Sequence, residues 1–492
     1  MSKGTLFVLA ASTVLAAAAG ALAEPPGPYL ESATYPIRVF HDDDTADAAI
    51  EVLAAAEAAW VAQVEELGFA PPLRQVGVDD DVQEGLDIVL DTGLPGVAAY
   101  EIEGNNLETP SADCPTFGFI NSDYMTSAEM LEMTTVHVLN HGSLHAVDCI
   151  EPVAPAYDMF AVATEVVVMG TDHFYWLMSE LPAFQAHPWF SLDQVSSAEV
   201  FYAYGSGFFL MFLDEVYGGG DGALLPAIWE RTAQDGNLTS WAGGTCSADV
   251  ENEPDYFDAI AAELETQSAS FDEAFVLFTE YRFFVGNDAD GAHLGGADGW
   301  SGSEVARDTQ LTVADLPLEG GAPAFDVAEY GASYVEIDPA GLPSPQAATI
   351  SFAGNPAKAW AASLFLVPAD GAATIVPIDL DADQEGEVAV EDASAWSLIV
   401  LAATNLGDGD HDPDATDWST VDGDYEYSIA TPGFDGDADA GADGGDADAD
   451  TDTDADSGAD AGQGAGSSGC GCAVVSGIET PSLIAALLDA CL

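Results

Sequence analysis

The period of the hydrophobic pattern changes once along this chain, and the change divides it into two kinds of domain. Up to about residue 285 most apolar side chains recur at helical spacing, whereas residues 324–430 hold seven or eight short alternating runs with turn residues between them. A glycine- and acid-rich stretch separates the two regions, and we expect a linker at residues 301–323. The sequence therefore predicts an α+β multidomain protein, with a mixed domain over residues 24–300 followed by an all-β sandwich.

The first domain is predicted to combine a small sheet with a helical half. Alternating apolar residues predict strands at Tyr35–Phe40, Leu86–Leu90 and Thr116–Ile120. A stripe at helical spacing predicts a helix over Thr45–Gly68, and a second helix is expected to begin near Ser127, a residue type that favours N-caps. Four or five further helical segments are expected between Ala154 and Val285.

Both ends of the chain are expected to lie outside the folded domains. Lys3, an apolar run and Ala21-Leu22-Ala23 have the layout of a secretory signal peptide, which we place at residues 1–23. Residues 431–469 consist mainly of Asp, Ala, Gly and Thr repeats, which predict a disordered acidic linker. These patterns indicate an exported protein, held at the cell surface or outer membrane or released outside the cell.

Acidic residues dominate the charge of the chain. Seven Lys and Arg face 86 Asp and Glu, giving a formal net charge of −79. Nucleic acids and anionic lipids need basic side chains to neutralise their phosphates, so both are excluded as partners. This surplus of acidic side chains is typical of a protein surface adapted to high salt, where counterions screen the repulsion between carboxylates.

Calcium binding is the alternative explanation for the acidic residues. The candidate calcium loop is Asp408–Asp414 with Asp417. This segment lacks the full calcium-loop pattern, so the sequence favours an acidic turn there.

The six cysteines fall into two groups. Cys114, Cys149 and Cys246 lie in the body of the chain, and the others lie near its end. An exported protein meets an oxidising compartment, so two of the three body cysteines are expected to pair, in a combination that the sequence leaves open.

Three histidines recur along one predicted helix. His137 and His141 are four residues apart, so they project from one helix face and could share a metal ion. This is the spacing of the zincin motif His-Glu-x-x-His, in which the glutamate activates a zinc-bound water. Val138 occupies the position of that glutamate. His145 lies one turn further and is expected to be an ordinary histidine and not a ligand.

A carboxylate follows on the next predicted helix. Glu165 lies in an apolar run, where its charge needs a partner, and a metal ion is one such partner. His137, His141 and Glu165 are therefore candidate metal ligands, and the alternative is a chance histidine pair with a glutamate that faces solvent. Asp172 and His173 come just after this helix and are the candidates for acting on a bound water in place of a glutamate.

Several segments of the chain together resemble one family. Val136–Asp148, the Glu165 run, Tyr204–Glu215 and Glu280–Gly286 with Asp290–His293 look like the secreted Glu-zincin-like metallopeptidases of myxobacteria and their relatives. Those proteins combine a signal peptide, a peptidase-like domain, a β-sandwich, an acidic linker and a C-terminal sorting tag. The resemblance implies a zincin-like domain at residues 24–300, with zinc held by the three candidate ligands.

The resemblance also gives the end of the chain a role. Cys470 and Cys472 begin a segment, residues 470–492, that is similar to the Cys-Gly-Cys sorting tag of these proteins. By that resemblance a processing enzyme cleaves the tag and a cysteine is lipidated for surface display. Release into the medium is the alternative, because no Lys or Arg follows the weakly apolar segment.

The expected function follows from two features: the peptidase-like scaffold, and the absence of the glutamate that would activate water. Valine cannot take a proton from water, and general-base catalysis contributes about 10²–10⁴-fold in rate. We therefore expect an exported zinc-metallopeptidase homologue that is catalytically impaired, retains zinc and binds a peptide or protein ligand. The alternatives are a non-enzymatic surface or adhesion protein that works through its β-sandwich, and an active metallopeptidase with an unusual base.

Overall fold

The structure is a computed structural model. It describes residues 27–434 apart from 77–80, 93–97, 103–105, 107–108, 125–126, 174, 196–198, 200, 243–244, 410, 412 and 414–422. The expected signal peptide, nearly all of the acidic linker, and Cys470 and Cys472 lie outside the described residues. Within them, no helix is long and apolar enough to cross a membrane.

The region before residue 300 is a mixed α/β structure. Its strands are β1 Tyr29–Glu31, β2 Ile37–Phe40, β3 Leu73–Val76, β4 Asp81–Glu84, β5 Leu86–Leu90, β6 Ala98–Ile102, β7 Thr116–Ile120, β8 Leu238–Ala242 and β9 Thr245–Ala248. Its helices are α1 Ala46–Trp60, α2 Ala128–His145, α3 Asp158–Met169, α4 Leu181–Gln185, α5 Phe201–Gly205, α6 Gly207–Leu213, α7 Leu224–Trp229, α8 Tyr256–Thr266 and α9 Phe271–Phe283. Short π-helical segments adjoin these helices at Val61–Leu67, Val153–Tyr157, Trp176–Glu180 and Asp214–Gly218.

One five-stranded sheet supports the first region, in the order β1-β2-β5-β7-β6. Its inner strands β2, β5 and β7 are parallel, and the edge strands β1 and β6 run antiparallel to their neighbours. Helix α2 packs with α1 against this sheet, burying Val136 and Leu139 beside Ile88. The other side of α2 contacts α3, so α2 lies between the sheet and α3.

The predicted elements of this region are largely confirmed. Leu86–Leu90 and Thr116–Ile120 are strands over the predicted residues. The helix predicted over Thr45–Gly68 is α1 with its π-helical extension, and it ends at Gly68, whose φ of 94° is left-handed. Ser127 caps α2, because its hydroxyl accepts a hydrogen bond from Met130 N at 3.1 Å.

A disulfide between Cys114 and Cys149 fixes the end of α2. Both cysteines are buried, and Cys114 N donates to the carbonyl of His145, the last residue of α2, at 2.9 Å. The bond closes a loop with a sequence separation of 35 residues, which in the chain-entropy picture stabilises the fold by about 4 kcal/mol. The pairing that the sequence leaves open is therefore Cys114 with Cys149.

The region after residue 300 consists of two sheets around one core. Its strands are β10 Thr309–Leu311, β11 Leu318–Gly321, β12 Gly331–Ile337, β13 Ala348–Gly354, β14 Ala359–Val367, β15 Thr374–Ile378, β16 Glu385–Val390, β17 Leu398–Gly407 and β18 Tyr425–Ala430. The sheets have the orders β10-β12-β17-β14-β15 and β11-β18-β13-β16. Val335 and Leu401 of the first sheet share a buried cluster with Ile350 and Ile429 of the second. Alternating side chains thus fill the space between the two sheets.

The structure differs from the linker expected at residues 301–323, because β10 and β11 lie there and pair with β12 and β18. Leu311 and Leu316 are buried in the core between the sheets. These strands have only three and four residues, too few for alternation to stand out among the surrounding glycines and acids.

A further buried cluster joins the two regions. Phe283 and Phe284, at the end of α9, pack against Tyr334 and Phe365 of the first sandwich sheet. The Tyr334 hydroxyl donates to the carbonyl of Thr279 in α9 at 2.8 Å. The helical region and the sandwich therefore share buried apolar surface.

The few basic side chains form ion pairs with acidic residues of the fold or, for Arg282, are buried in it. Lys3 lies outside the described residues, and the other six Lys and Arg of the chain lie within them. Their ion pairs are Arg38–Asp87, Arg74–Asp87, Arg231–Glu263, Arg307–Asp288, Arg307–Glu336, Lys358–Glu329 and Lys358–Asp408. Arg282 is buried, with its guanidinium 3.8 Å from the centre of the Phe184 ring.

We expect the melting temperature to rise from low to molar salt. Screening relieves the repulsion among the surplus carboxylates, whereas the buried pairs of Arg38 and Arg74 with Asp87 are screened much less. Thermal unfolding followed by circular dichroism in sodium chloride and in potassium chloride measures this effect. A melting temperature that does not change with salt would contradict the high-salt interpretation.

Candidate metal centre

Two histidines of α2 and an aspartate of α3 bring three ligand atoms together. His137 Nε2 and His141 Nε2 are 2.9 Å apart. Asp158 Oδ1 lies 3.6 Å from His137 Nε2 and 3.4 Å from His141 Nε2. Ligand atoms about 2.0–2.1 Å from a tetrahedral zinc ion are about 3.3 Å from one another. The three side chains thus form a group that could hold one metal ion.

The local structure explains why these side chains meet. Positions i and i+4 of α2 lie on one helix face, and that face points toward α3. Gln63, in the π-helical extension of α1, ties that extension to α2: its amide donates to Val136 O at 2.8 Å and accepts from Asn140 Nδ2 at 3.2 Å. Asp158 follows directly on the π-helical segment Val153–Tyr157, so a helical backbone that begins one turn earlier holds it in place. Helix packing thus sets the distances.

The group is almost closed to solvent. His141 is 3% exposed and Asp158 is 2% exposed, whereas the His137 side chain retains 15%. Burial lowers the pKa of His137, but the carboxylates of Asp158 and Glu165 outweigh burial and raise it to about 10. Burial and the neighbouring His137 lower the pKa of His141 to about 4. One histidine is therefore cationic and the other neutral in the metal-free protein at neutral pH.

Glu165 contacts the opposite side of the His137 ring. Its Oε1 lies 2.5 Å from His137 Nδ1, so the contact orients the imidazole with Nε2 toward Asp158. A carboxylate on the far nitrogen of a metal-binding histidine fixes the tautomer and raises the basicity of the ligand. The sequence proposes Glu165 as the third ligand, whereas the structure groups Asp158 with the histidine pair.

Asp158 is the residue that the sequence analysis missed. It precedes Glu165 by seven residues, or two helical turns, so both carboxylates lie on the face of α3 that meets α2. That spacing is a signal that could have identified it. The aspartate is also easily taken for a helix-start residue, a role that accounts for many acids in this position.

Val138 lies on the sheet side of α2. It is 3% exposed and belongs to the cluster between the helices and the sheet. A Cβ at Gly118 of β7 would lie 2.1 Å from Val138 Cγ1, so the valine occupies space that the glycine leaves open. The residue in the general-base position of the motif therefore faces the sheet core.

The other residues that the sequence singles out lie outside the group of His137, His141 and Asp158. Asp172 is exposed in the turn after α3. His173 is buried in a second group with Glu165 and Glu180. His145 is buried and its ring stacks on Tyr157, with ring centres 4.2 Å apart.

Of the calcium-loop candidate, Asp410, Asp412, Asp414 and Asp417 lie outside the described residues. His411, which is described, contacts Asp193 Oδ2 at 3.0 Å and Glu329 Oε1 at 3.4 Å. This part of the segment therefore joins the helical region to the start of the sandwich.

Comparisons with known proteins do not identify a family or a function for this chain. No protein-family model matches this chain, and no curated protein matches it. Among solved structures, the chain is similar to BtGH115A, a family GH115 4-O-methyl-alpha-glucuronidase with specificity for decorated arabinogalactans. The two share 9% identity with a TM-score of 0.14, over 64% of this chain and 45% of that chain. The chain spans less than half the length of that enzyme, and a likeness with this TM-score carries no argument about function.

Proposed function

We propose that this protein is an exported, non-hydrolytic homologue of the Glu-zincin metallopeptidases, and that it holds a buried zinc ion between α2 and α3. The observation that carries the proposal is the convergence of His137 Nε2, His141 Nε2 and Asp158 Oδ1 within 3.6 Å of one another. Two imidazoles and a carboxylate are a common protein ligand set for zinc.

Charge balance supports a dication in this position. Asp158 and Glu165 are buried carboxylates, and burying charge is costly unless the charge is compensated. Asp158 Oδ2 also has no hydrogen-bond partner among the described residues. One divalent ion matches the two negative charges and removes the need for the extra proton on His137.

The same geometry argues against peptide hydrolysis. A catalytic zinc site keeps an open coordination position and needs a general base near the bound water. Only the His137 side chain is partly exposed, and Val138 faces the sheet core. Bound zinc would supply positive charge that fixes the three side chains, and the residues themselves join two helices and exclude water. The role we propose for the ion is therefore structural.

Substitutions rank the ligands and test the proposal. We expect Asp158→Asn and His141→Gln to lower zinc affinity more than Glu165→Gln does, since loss of a carboxylate behind a histidine typically costs about 10–100-fold. Competition between the full chain and a chromogenic chelator measures these affinities. Asp172→Asn is the matched control, because this exposed carboxylate lies just beyond α3 and should leave the affinity unchanged.

Two results would count against the proposal. Unchanged zinc affinity in folded Asp158→Asn, with loss of binding in Glu165→Gln, would return the third-ligand role to Glu165. Chelator-sensitive peptide hydrolysis by the unmodified protein would contradict a structural role.

A further inference from the structure

A second buried group lies beside the first. Glu165, His173 and Glu180 each offer a ligand atom, and these atoms all lie within 4.8 Å of one another. The three residues are 1%, 3% and 4% exposed. Glu165 is on α3, His173 is in the turn after it, and Glu180 ends the π-helical segment Trp176–Glu180. Segments of this kind occur often at functional sites.

Each member of this group has an unsatisfied polar atom. Glu165 Oε2, His173 Nε2 and Glu180 Oε2 are buried without a hydrogen-bond partner among the described residues. Leaving a buried polar group unsatisfied is unfavourable, and more so when the group is charged. Three such atoms in one place favour a partner that all three share.

Basic side chains do not supply that partner. The six described Lys and Arg residues contact other acids or, for Arg282, backbone and amide oxygens. On the other side of Glu165, Oε1 contacts His137, so Oε2 is the oxygen available to the second group. A small cation satisfies two carboxylates and an imidazole at once.

We propose that Glu165, His173 and Glu180 form a second site for a divalent first-row transition metal. One imidazole and two carboxylates suit Mn²⁺, Fe²⁺ or Zn²⁺. Glu165 serves both sites, with Oε1 toward His137 and Oε2 toward the second ion. The remaining ligands of the two sites are different residues, so either site can be lost without the other.

Metal counting tests this proposal. The full chain is dialysed against zinc or, separately, manganese in molar sodium chloride, which screens loose attraction of cations to the acidic surface. Metal per chain is then measured by elemental analysis. With zinc we expect two ions in the wild type and one in Glu180→Gln, which preserves the shape of the side chain. Asp214→Asn is the matched control, because Asp214 is a buried carboxylate outside both groups. The Asp214→Asn protein should still bind two zinc ions.

The two proposals fail in different ways. If Glu180→Gln retains the wild-type metal count, the second site is contradicted. If the wild type and Asp158→Asn each bind one ion and Glu180→Gln binds none, the second site holds and the zinc site of the proposed function fails. Manganese electron paramagnetic resonance gives a second readout: the free-ion signal is expected to fall further with the wild type than with Glu180→Gln, and equal signals for the two proteins would overturn the second site in favour of a shared proton.

Discussion

Replacing Val138 by glutamate is expected to destabilise the protein and to create no peptidase activity. The sequence motif alone suggests the opposite, because the substitution restores His-Glu-x-x-His. In the structure, however, Val138 is 3% exposed and packs toward Gly118 of β7. The new carboxylate would lose apolar packing and be buried without a partner, which we expect to cost at least about 4 kcal/mol of unfolding free energy.

Urea unfolding followed by far-ultraviolet circular dichroism measures this loss. Glu132→Val is the control, because Glu132 is exposed on the same helix and a surface change there should stay within about 0.5 kcal/mol. A folded Val138→Glu protein of wild-type stability, with zinc-dependent peptide hydrolysis, would show that position 138 reaches the ion.

Replacing His411 by glutamine is expected to remove about 3–5 kcal/mol of stability at neutral pH, the usual cost of breaking a buried ion pair. The His411 side chain is 5% exposed and lies between Asp193 of the helical region and Glu329 beside the sandwich. Burial lowers its pKa, but the hydrogen bonds and charges of the two carboxylates outweigh burial and raise it to about 10. The histidine is therefore cationic in the folded protein at neutral pH.

The raised pKa fixes the direction of the pH dependence. A group whose folded pKa lies above its unfolded value of about 6.5 contributes its full stability below that value. The contribution is lost as pH rises through the folded pKa of about 10. Wild-type stability should therefore fall between neutral pH and pH 10 more steeply than that of His411→Gln.

Unfolding curves across this pH range test the expectation. His187→Gln is the matched control, because His187 is 23% exposed and its partner Glu199 is 41% exposed, so their pair should contribute less than about 1 kcal/mol. Parallel pH profiles for the wild type and His411→Gln would contradict the role of His411.

The sequence predicts helices and strands well where the hydrophobic pattern continues over five or more residues. The start of helix α2 with its cap at Ser127, strand β5 and strand β7 follow the predicted residues closely. Strands β10 and β11 were missed, because three or four residues among glycines and acids give too weak a period. Local pattern therefore recovers long elements and loses short ones.

The candidate site was predictable only in part. The i, i+4 spacing identified His137 and His141, because helix geometry places both on one face. The identity of the third ligand depends on how α3 packs against α2, and local sequence does not determine that packing. Asp158 and Glu165 were equally eligible by position, and Glu180 reaches the second group through a turn whose path the sequence does not specify.

The most direct test of a buried structural metal centre is anomalous diffraction at the zinc edge, from crystals of the protein grown with zinc. We expect an anomalous peak within bonding distance of His137 Nε2, His141 Nε2 and Asp158 Oδ1, about 2.0–2.2 Å from each ligand atom. The absence of a peak between these three atoms, in crystals where they remain in contact, would contradict it.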